Sequence, residues 1–339
     1  MPPALHGAAV FGHPSIEGFG SLSGMMCGGR VGVSVDGMTT TQHSRLPKCL
    51  AAGAVLACLP YLVLKLMWLG GSTVGLNDLA LARSTTMQVA NLGTVGMELV
   101  GAALAVALVL PVGQRLPSWL VQVPMFVGTG LLGGILVLLP VELLLSAGDS
   151  QTPAAAAEPI QGWVYAMVYG GFAVLGVCLL TIFGRHTWQR WAVPGGWLRP
   201  LGTCAAVPRR DGWTALTQAG FMVVLCVTEV VVTARAGLLG GQPVMAVVMA
   251  SASAAGVAAR VFRAPRSVRG VVPLMLVYCG SAAVAAWGLY FTVVLAVPNP
   301  MRGDGAVPAA LLVIEPLRAI TGLLGVVLIT RLRPRMAVG

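Results

Sequence analysis

Apolar residues in this chain come in long unbroken runs, with no alternation of polar and apolar positions, and polar residues gather between the runs. Eight such runs are about as long as the ~20 residues that a helix needs to cross a bilayer. They extend over Cys49 to Leu69, Asn91 to Val112, Trp119 to Leu145 and Gln161 to Phe183, then Trp213 to Ala234, Val244 to Phe262, Val271 to Val297 and Pro308 to Thr330. The pattern predicts an all-α, polytopic membrane protein, because a helix satisfies its own backbone groups in lipid whereas an irregular segment does not. A β-barrel would show shorter segments of period two. The sixth run is rich in Ala, Ser and Gly between Met249 and Ala258 and is the weakest of the eight. The polar segment from Arg83 to Gln88 is placed outside the second run, at the membrane surface.

Composition supports the same class. Hydrophobic residues make up 57% of the 339 and charged residues 9%, too apolar a balance for a water-soluble fold of this length. The loop charges then orient the spans. With the N-terminus in the cytoplasm, every basic residue except Arg83, Arg235, Arg302, Lys65 and Arg318 falls on the cytoplasmic side. That is the asymmetry of the positive-inside rule, and it predicts both termini on the cytoplasmic side of the cell membrane. A seven-span count would break the pattern after residue 244. The formal charge of +10 follows from this topology and from anionic lipid, so nucleic acid is not an expected partner.

Tryptophans fit the same map. Trp68, Trp119, Trp163 and Trp213 stand at expected helix ends, where the ring favours the headgroup region, and Trp287 is mid-span as a packing residue. The inner connection from Gly184 to Gly212 mixes Arg185, Trp188, Arg190, Trp191, Trp197, Arg199, Arg209 and Arg210. It reads either as a segment lying on anionic inner-leaflet lipid or as an ordinary loop. Residues 1–48 read as a disordered N-terminal extension, with Met38 a natural alternative start, and residues 331–339 as a basic tail.

Several chemistries are disfavoured. The seven cysteines are dispersed and form no C-x-x-C pair, and the four histidines all lie outside the spans. No intramembrane haem ligation, zinc-protease motif or phosphate-binding loop is present in the sequence, and no cofactor or metal is expected. Gly130 and Gly134 form a G-x-x-x-G inside the third run, a signature of close helix packing.

What remains is a set of charges inside the spans: Lys65, Glu98, Glu142, Glu229, Glu315 and Arg318. A charge in hydrocarbon is unfavourable enough that it faces a partner, a cavity or the interface. All six fall in the outer half of their spans. Lys65, Glu98, Glu315 and Arg318 are the stronger candidates for substrate binding or proton coupling. Glu142 and Glu229 read as weaker, more interfacial candidates. Lys65 is long enough to snorkel to the headgroups. Glu98 is too short to do so, and must be protonated, paired with Lys65 or set against a wet cavity. Glu315 and Arg318 are one helical turn apart, hence on one face. Pro60 and Pro316 put helix breaks beside Lys65 and between Glu315 and Arg318.

The stretch Pro60, Tyr61, Leu64, Lys65, Trp68, Gly70, Gly71, together with the eight-span layout, resembles a group of uncharacterised multi-pass membrane proteins of high-GC actinobacteria. The resemblance implies a membrane location and no particular activity. Three readings stay open on sequence: a small-molecule transporter or binding protein with an outward-facing polar pocket, an intramembrane enzyme acting on a lipid or isoprenoid-like substrate, and an accessory subunit of a membrane complex. The first is favoured, and an enzymatic role is the less expected one.

Overall fold

A computed structural model describes residues 36–78, 84–146, 160–192, 197–238, 240–296 and 307–333, with side chains from residue 45 in the first helix and up to residue 140 in the third. The chain divides into two units, Met1–Thr41 and Gln42–Gly339, and the second holds the helical bundle. Among the described residues, eight helices are long and apolar enough to cross a membrane. They are α1 (Asp36–Leu69), α2 (Thr85–Val109), α3 (Ser118–Ser146), α4 (Gly162–Thr187), α5 (Arg209–Arg235), α6 (Gly241–Phe262), α7 (Val271–Ala296) and α8 (Leu311–Leu332). The architecture is all-α, and the only extended pairings among these residues are two isolated bridges, Leu76 with Ile160 and Pro200 with Arg269. The weakest run of the sequence, the sixth, is a full-length helix.

Two boundaries differ from those the sequence predicts. Helix α1 already includes residues 36–48, which read as part of a disordered extension, and residues 1–35 lie outside the described set. Helix α2 starts at Thr85, so most of the polar segment Arg83 to Gln88 is helical. Its start is fixed by Ser84, whose hydroxyl accepts from the Met87 N–H at 3.2 Å and so satisfies one of the donors that open a helix.

The helices pack as two groups of four. In the first, Ala51, Ala54 and Cys58 of α1, Leu104 and Leu108 of α2, Val121 and Met125 of α3, and Leu175 and Leu179 of α4 share one buried core. In the second, α7 packs on α6 and α8, and α5 packs on α6 and α8. The seam between the groups is α3 against α7 and, to a lesser extent, α6, and α3 packs on α7 more extensively than on α2 or α4. The α3–α7 contact is close because Gly130 and Gly134 present no side chain: a Cβ on Gly130 would strike the Ala282 carbonyl, and one on Gly134 the Trp287 indole. The outward faces are apolar, with Leu56, Leu92, Val224 and Leu323 among many exposed aliphatic side chains. In water such a surface would aggregate; against lipid tails it is at rest.

The two ends of the bundle are built differently. At the end where α1 stops and α2 begins, Gly71 (φ 87°) and Gly75 (φ 77°) turn the chain in the left-handed region. A Cβ on Gly75 would stand 2.5 Å from Val164, so glycine lets this turn rest on the start of α4, where Gln161 N–H donates to the Gly75 carbonyl at 2.9 Å. Trp68 belongs to this packing. It is buried against Leu64, Leu76 and Val164 and donates its indole N–H to the Val74 carbonyl at 2.8 Å, so it is a core residue and not the interfacial ring expected from its position. Trp119, Trp163 and Trp213 are exposed, as an interfacial ring should be.

At the opposite end arginines bind the loops together. Arg190 donates to the Gly113 and Leu116 carbonyls, and Arg263 to the Cys204 carbonyl. Arg260 is 2% exposed, and donates to the carbonyls of Ala205, Leu332 and Arg333. On sequence it reads only as one more cytoplasmic charge. Its guanidinium caps the last carbonyls of α8, groups that have no partner within their own helix.

Candidate functional site

The structure sorts the intramembrane charges into two centres, one in each group of helices. Lys65, Glu229, Glu315 and Arg318 lie toward the α1–α2 turn end of their helices, whereas Glu98 is at the middle of α2 because that helix already starts at Thr85. Lys65 pairs with Glu98, and Arg318 with Glu315 and Glu229; no ion pair links the two sets among the described residues.

The first centre joins α1 to α2. Lys65 lies about 6 Å from the last residue of α1 at 1.5 Å per residue, yet its side chain turns inward and is 0% exposed. It does not snorkel. Its Nζ is 3.6 Å from Glu98 Oε1 and 3.7 Å from the centre of the Tyr61 ring. Tyr61 is at the preceding turn of the same helix, which places ring and ammonium on one face. A cation over an aromatic face is stabilised by the ring quadrupole, more so when desolvated. Of the three fates open to Glu98, the geometry realises the pair with Lys65. The pairing is loose: at 3.6 Å it is a charge contact without a hydrogen bond. Lys65 Nζ and Glu98 Oε2 have no hydrogen-bond partner among the described residues. The Tyr61 ring meets Phe172 of α4 edge-on at 5.6 Å, anchoring this face to the first core.

The second centre joins α5 to α8. Arg318 is wholly buried, and its Nη1 donates to Glu315 Oε1 at 3.0 Å and Oε2 at 2.9 Å. The same Nη1 is in contact with Glu229 Oε2. Glu229, a weaker and interfacial candidate on sequence, is 2% exposed and is the second carboxylate on one guanidinium. The two carboxyl groups also interact with each other, and the Cys226 thiol, one turn before Glu229, lies beside the guanidinium. Arg318 uses only Nη1 on the glutamates. Its Nε and Nη2 have no hydrogen-bond partner among the described residues.

Local structure explains how so many charges reach one point. Glu315 and Arg318 share a face of α8 by their three-residue spacing, as the sequence indicates. Pro316 sits between them without ending the helix. Helix α8 approaches α7 closely at Gly288, where a Cβ would stand 3.0 Å from Arg318 Cβ and 2.7 Å from the Ala319 nitrogen. The same pattern recurs at Gly322, which lies on Ala285. Gln218 of α5 donates to the Thr321 carbonyl at 3.1 Å, holding α5 on this stretch of α8. Around the charges the lining is small and apolar: Cys226 packs with Met222, Ala246, Ala250 and Val284.

Glu142 lies on α3 near its Ser146 end, and its side chain is outside the described set. Among the described residues no three His, Cys, Asp or Glu side chains converge as metal ligands would. Two carboxylates on one guanidinium, and an ammonium beside a carboxylate, can hold counter-charges in a buried interior and exchange a proton or an ionic group against them. Comparison of the chain with protein-family models, with curated proteins and with solved structures finds no match in any of the three, so the family of this integral membrane protein is left to be argued from the two centres themselves.

Proposed function

We propose that the protein is a proton-coupled transporter of a small molecule, with its N-terminus in the cytoplasm and both charge centres nearer the outer face. The observation that carries this reading is the charge imbalance at Arg318. A purely structural ion pair in a low-dielectric interior would balance one to one, because an uncompensated buried charge is strongly destabilising. Here two carboxylates face one guanidinium, and the cluster carries −1 unless it takes up a proton or another cation. With that proton held the cluster is neutral, and the second carboxyl is left to take up and release a further proton, which is what coupling requires.

The two-group architecture supports the same reading. Two four-helix groups meeting mainly at α3 and α7, each with its own charge centre, suit a mechanism in which one group rocks against the other. The accessory-subunit reading loses its main support, because Gly130 and Gly134 are covered by α7 of the same chain and are not left for a partner. The exposed Arg185, Arg199, Arg209 and Arg210 suit anionic headgroups of the inner leaflet, whereas Arg190 is committed to loop carbonyls.

The test is reconstitution in liposomes with an entrapped pH dye and an inward proton gradient, offering small organic acids, amines and sugars in turn. Wild-type protein should dissipate the gradient with one of these classes, and the double variant Glu229→Gln with Glu315→Gln should not. Vesicles that stay as proton-tight as protein-free ones with every class would remove the reading.

A further inference from the structure

The second centre also contains information about what is carried. A guanidinium binds a carboxylate most specifically through two parallel N–H donors, and its Nε/Nη2 edge offers such a fork. In Arg318 this edge is buried and has no hydrogen-bond partner among the described residues, while both glutamates crowd on Nη1. Nothing in these ion pairs requires the fork to be kept open. A fully buried arginine with two unmet donors is unfavourable, by the desolvation of each donor, unless a ligand completes it.

Resting on the transport reading above, we propose that the Nε/Nη2 edge of Arg318 is the seat of an organic monocarboxylate, taken up together with a proton by the Glu229–Glu315 pair. The Cys226 thiol beside the guanidinium packs with Met222, Ala246, Ala250 and Val284, so the side chains next to this edge are mainly small and apolar and must yield to admit a short aliphatic acid. Charge balance sets the stoichiometry. With one proton on the carboxyl pair the cluster is neutral; an incoming carboxylate adds −1, and one further proton on the second carboxyl restores neutrality. Arg318 then changes partners, from the glutamates to the ligand, and both glutamates stand protonated. Release of the anion and of that proton on the far side returns the centre to its starting state. One O–H bond forms on the second glutamate as the anion enters and breaks as it leaves; the pair keeps its first proton throughout.

The experiment uses the full chain in lipid nanodiscs and compares binding of radiolabelled propionate with its neutral isostere propionamide. Propionate should bind saturably and propionamide should not. If one proton enters with each anion, the propionate affinity should rise about tenfold per unit fall in pH across the coupled range. Arg318→Lys, which keeps the charge and loses the fork, should weaken binding by about tenfold or more. If that variant does not fold, the double variant Glu229→Gln with Glu315→Gln serves instead: with no carboxyl left to protonate, it should still bind propionate, with the pH dependence flattened. Equal binding of the amide, binding indifferent to pH in wild-type protein, or undiminished binding by a folded Arg318→Lys would each overturn the proposal. Absence of propionate binding alongside proton movement driven by an amine or a sugar would overturn the carboxylate assignment and leave transport standing. Saturable, pH-dependent propionate binding in a protein that moves no protons would uphold the seat and remove the transport reading.

Discussion

Buried Lys65 faces both the Glu98 carboxylate and the Tyr61 ring. Replacing Glu98 by Gln leaves a buried ammonium against a ring and a neutral amide. Breaking one side of a buried pair typically costs about 3–5 kcal/mol, so a marked fall in the thermal unfolding temperature in detergent is expected for Glu98→Gln. The double replacement Lys65→Met with Glu98→Leu removes both desolvation penalties, and should restore stability to the wild-type level or raise it by about 1–4 kcal/mol. A double variant as unstable as the single one would mean that the pair is held for its fit with Tyr61. The sequence exposes both members, since a charge in an apolar run stands out by itself. It does not expose the importance of Glu229: in a span apolar on nearly every side, periodicity does not say which side faces inward, and nearness to a helix end favours the interfacial interpretation. Arg260 is hidden for the same reason. Only the three-dimensional convergence of Ala205, Leu332 and Arg333 carbonyls gives it a structural task.

At the scale of the element, the eight helices are legible because bilayer thickness imposes a length on every span. Where a helix starts is less so. Ser84 is the kind of residue that caps, but the polar character of Arg83 to Gln88 outweighs it on sequence. Ser84→Ala should cost about 0.5–2 kcal/mol, visible as faster amide exchange over the first turn of α2. Contacts between helices depend on where glycine faces a neighbour. Gly288 lies against the α8 backbone beside Arg318, whereas a Cβ on Gly96 of α2 would meet nothing within 4 Å. Gly288→Val should therefore force α7 and α8 apart, lower stability by about 1–3 kcal/mol and disturb the second centre, while Gly96→Ala stays within about 0.5 kcal/mol of wild type. Unfolding midpoints of the two variants provide the comparison, and equal midpoints would contradict the packing described at Gly288.

For the molecule as a whole, the sequence indicates two groups of four spans, and the structure adds that they adhere chiefly through α3 and α7. The separation of the charges into two centres is not legible, because a linear map gives depth along each helix but not the neighbour across it. The proposed orientation places the α1–α2 turn outside and the arginine-laced loops inside. In a cysteine-free background, a cysteine at Ser72 should react with a membrane-impermeant maleimide added to intact cells, and one at Thr203 should react only after the membrane is opened. The opposite result would invert the topology and put both charge centres nearer the cytoplasm.

The Arg260 clamp has a consequence for biogenesis. Its side chain is committed to α6, yet two of the carbonyls it needs, those of Leu332 and Arg333, belong to the far end of α8. At roughly 5–20 residues per second, the ribosome leaves this guanidinium waiting for several seconds after α6 has been made. These contacts are among the last that the chain can make: one that stops short of Leu332 leaves Arg260 with the Ala205 carbonyl but without its α8 partners at the bundle end. Such a product should be recognised and degraded in cells, although all but the last few residues of its eighth helix have been synthesised, and the charge-removing Arg260→Met should relieve part of that penalty.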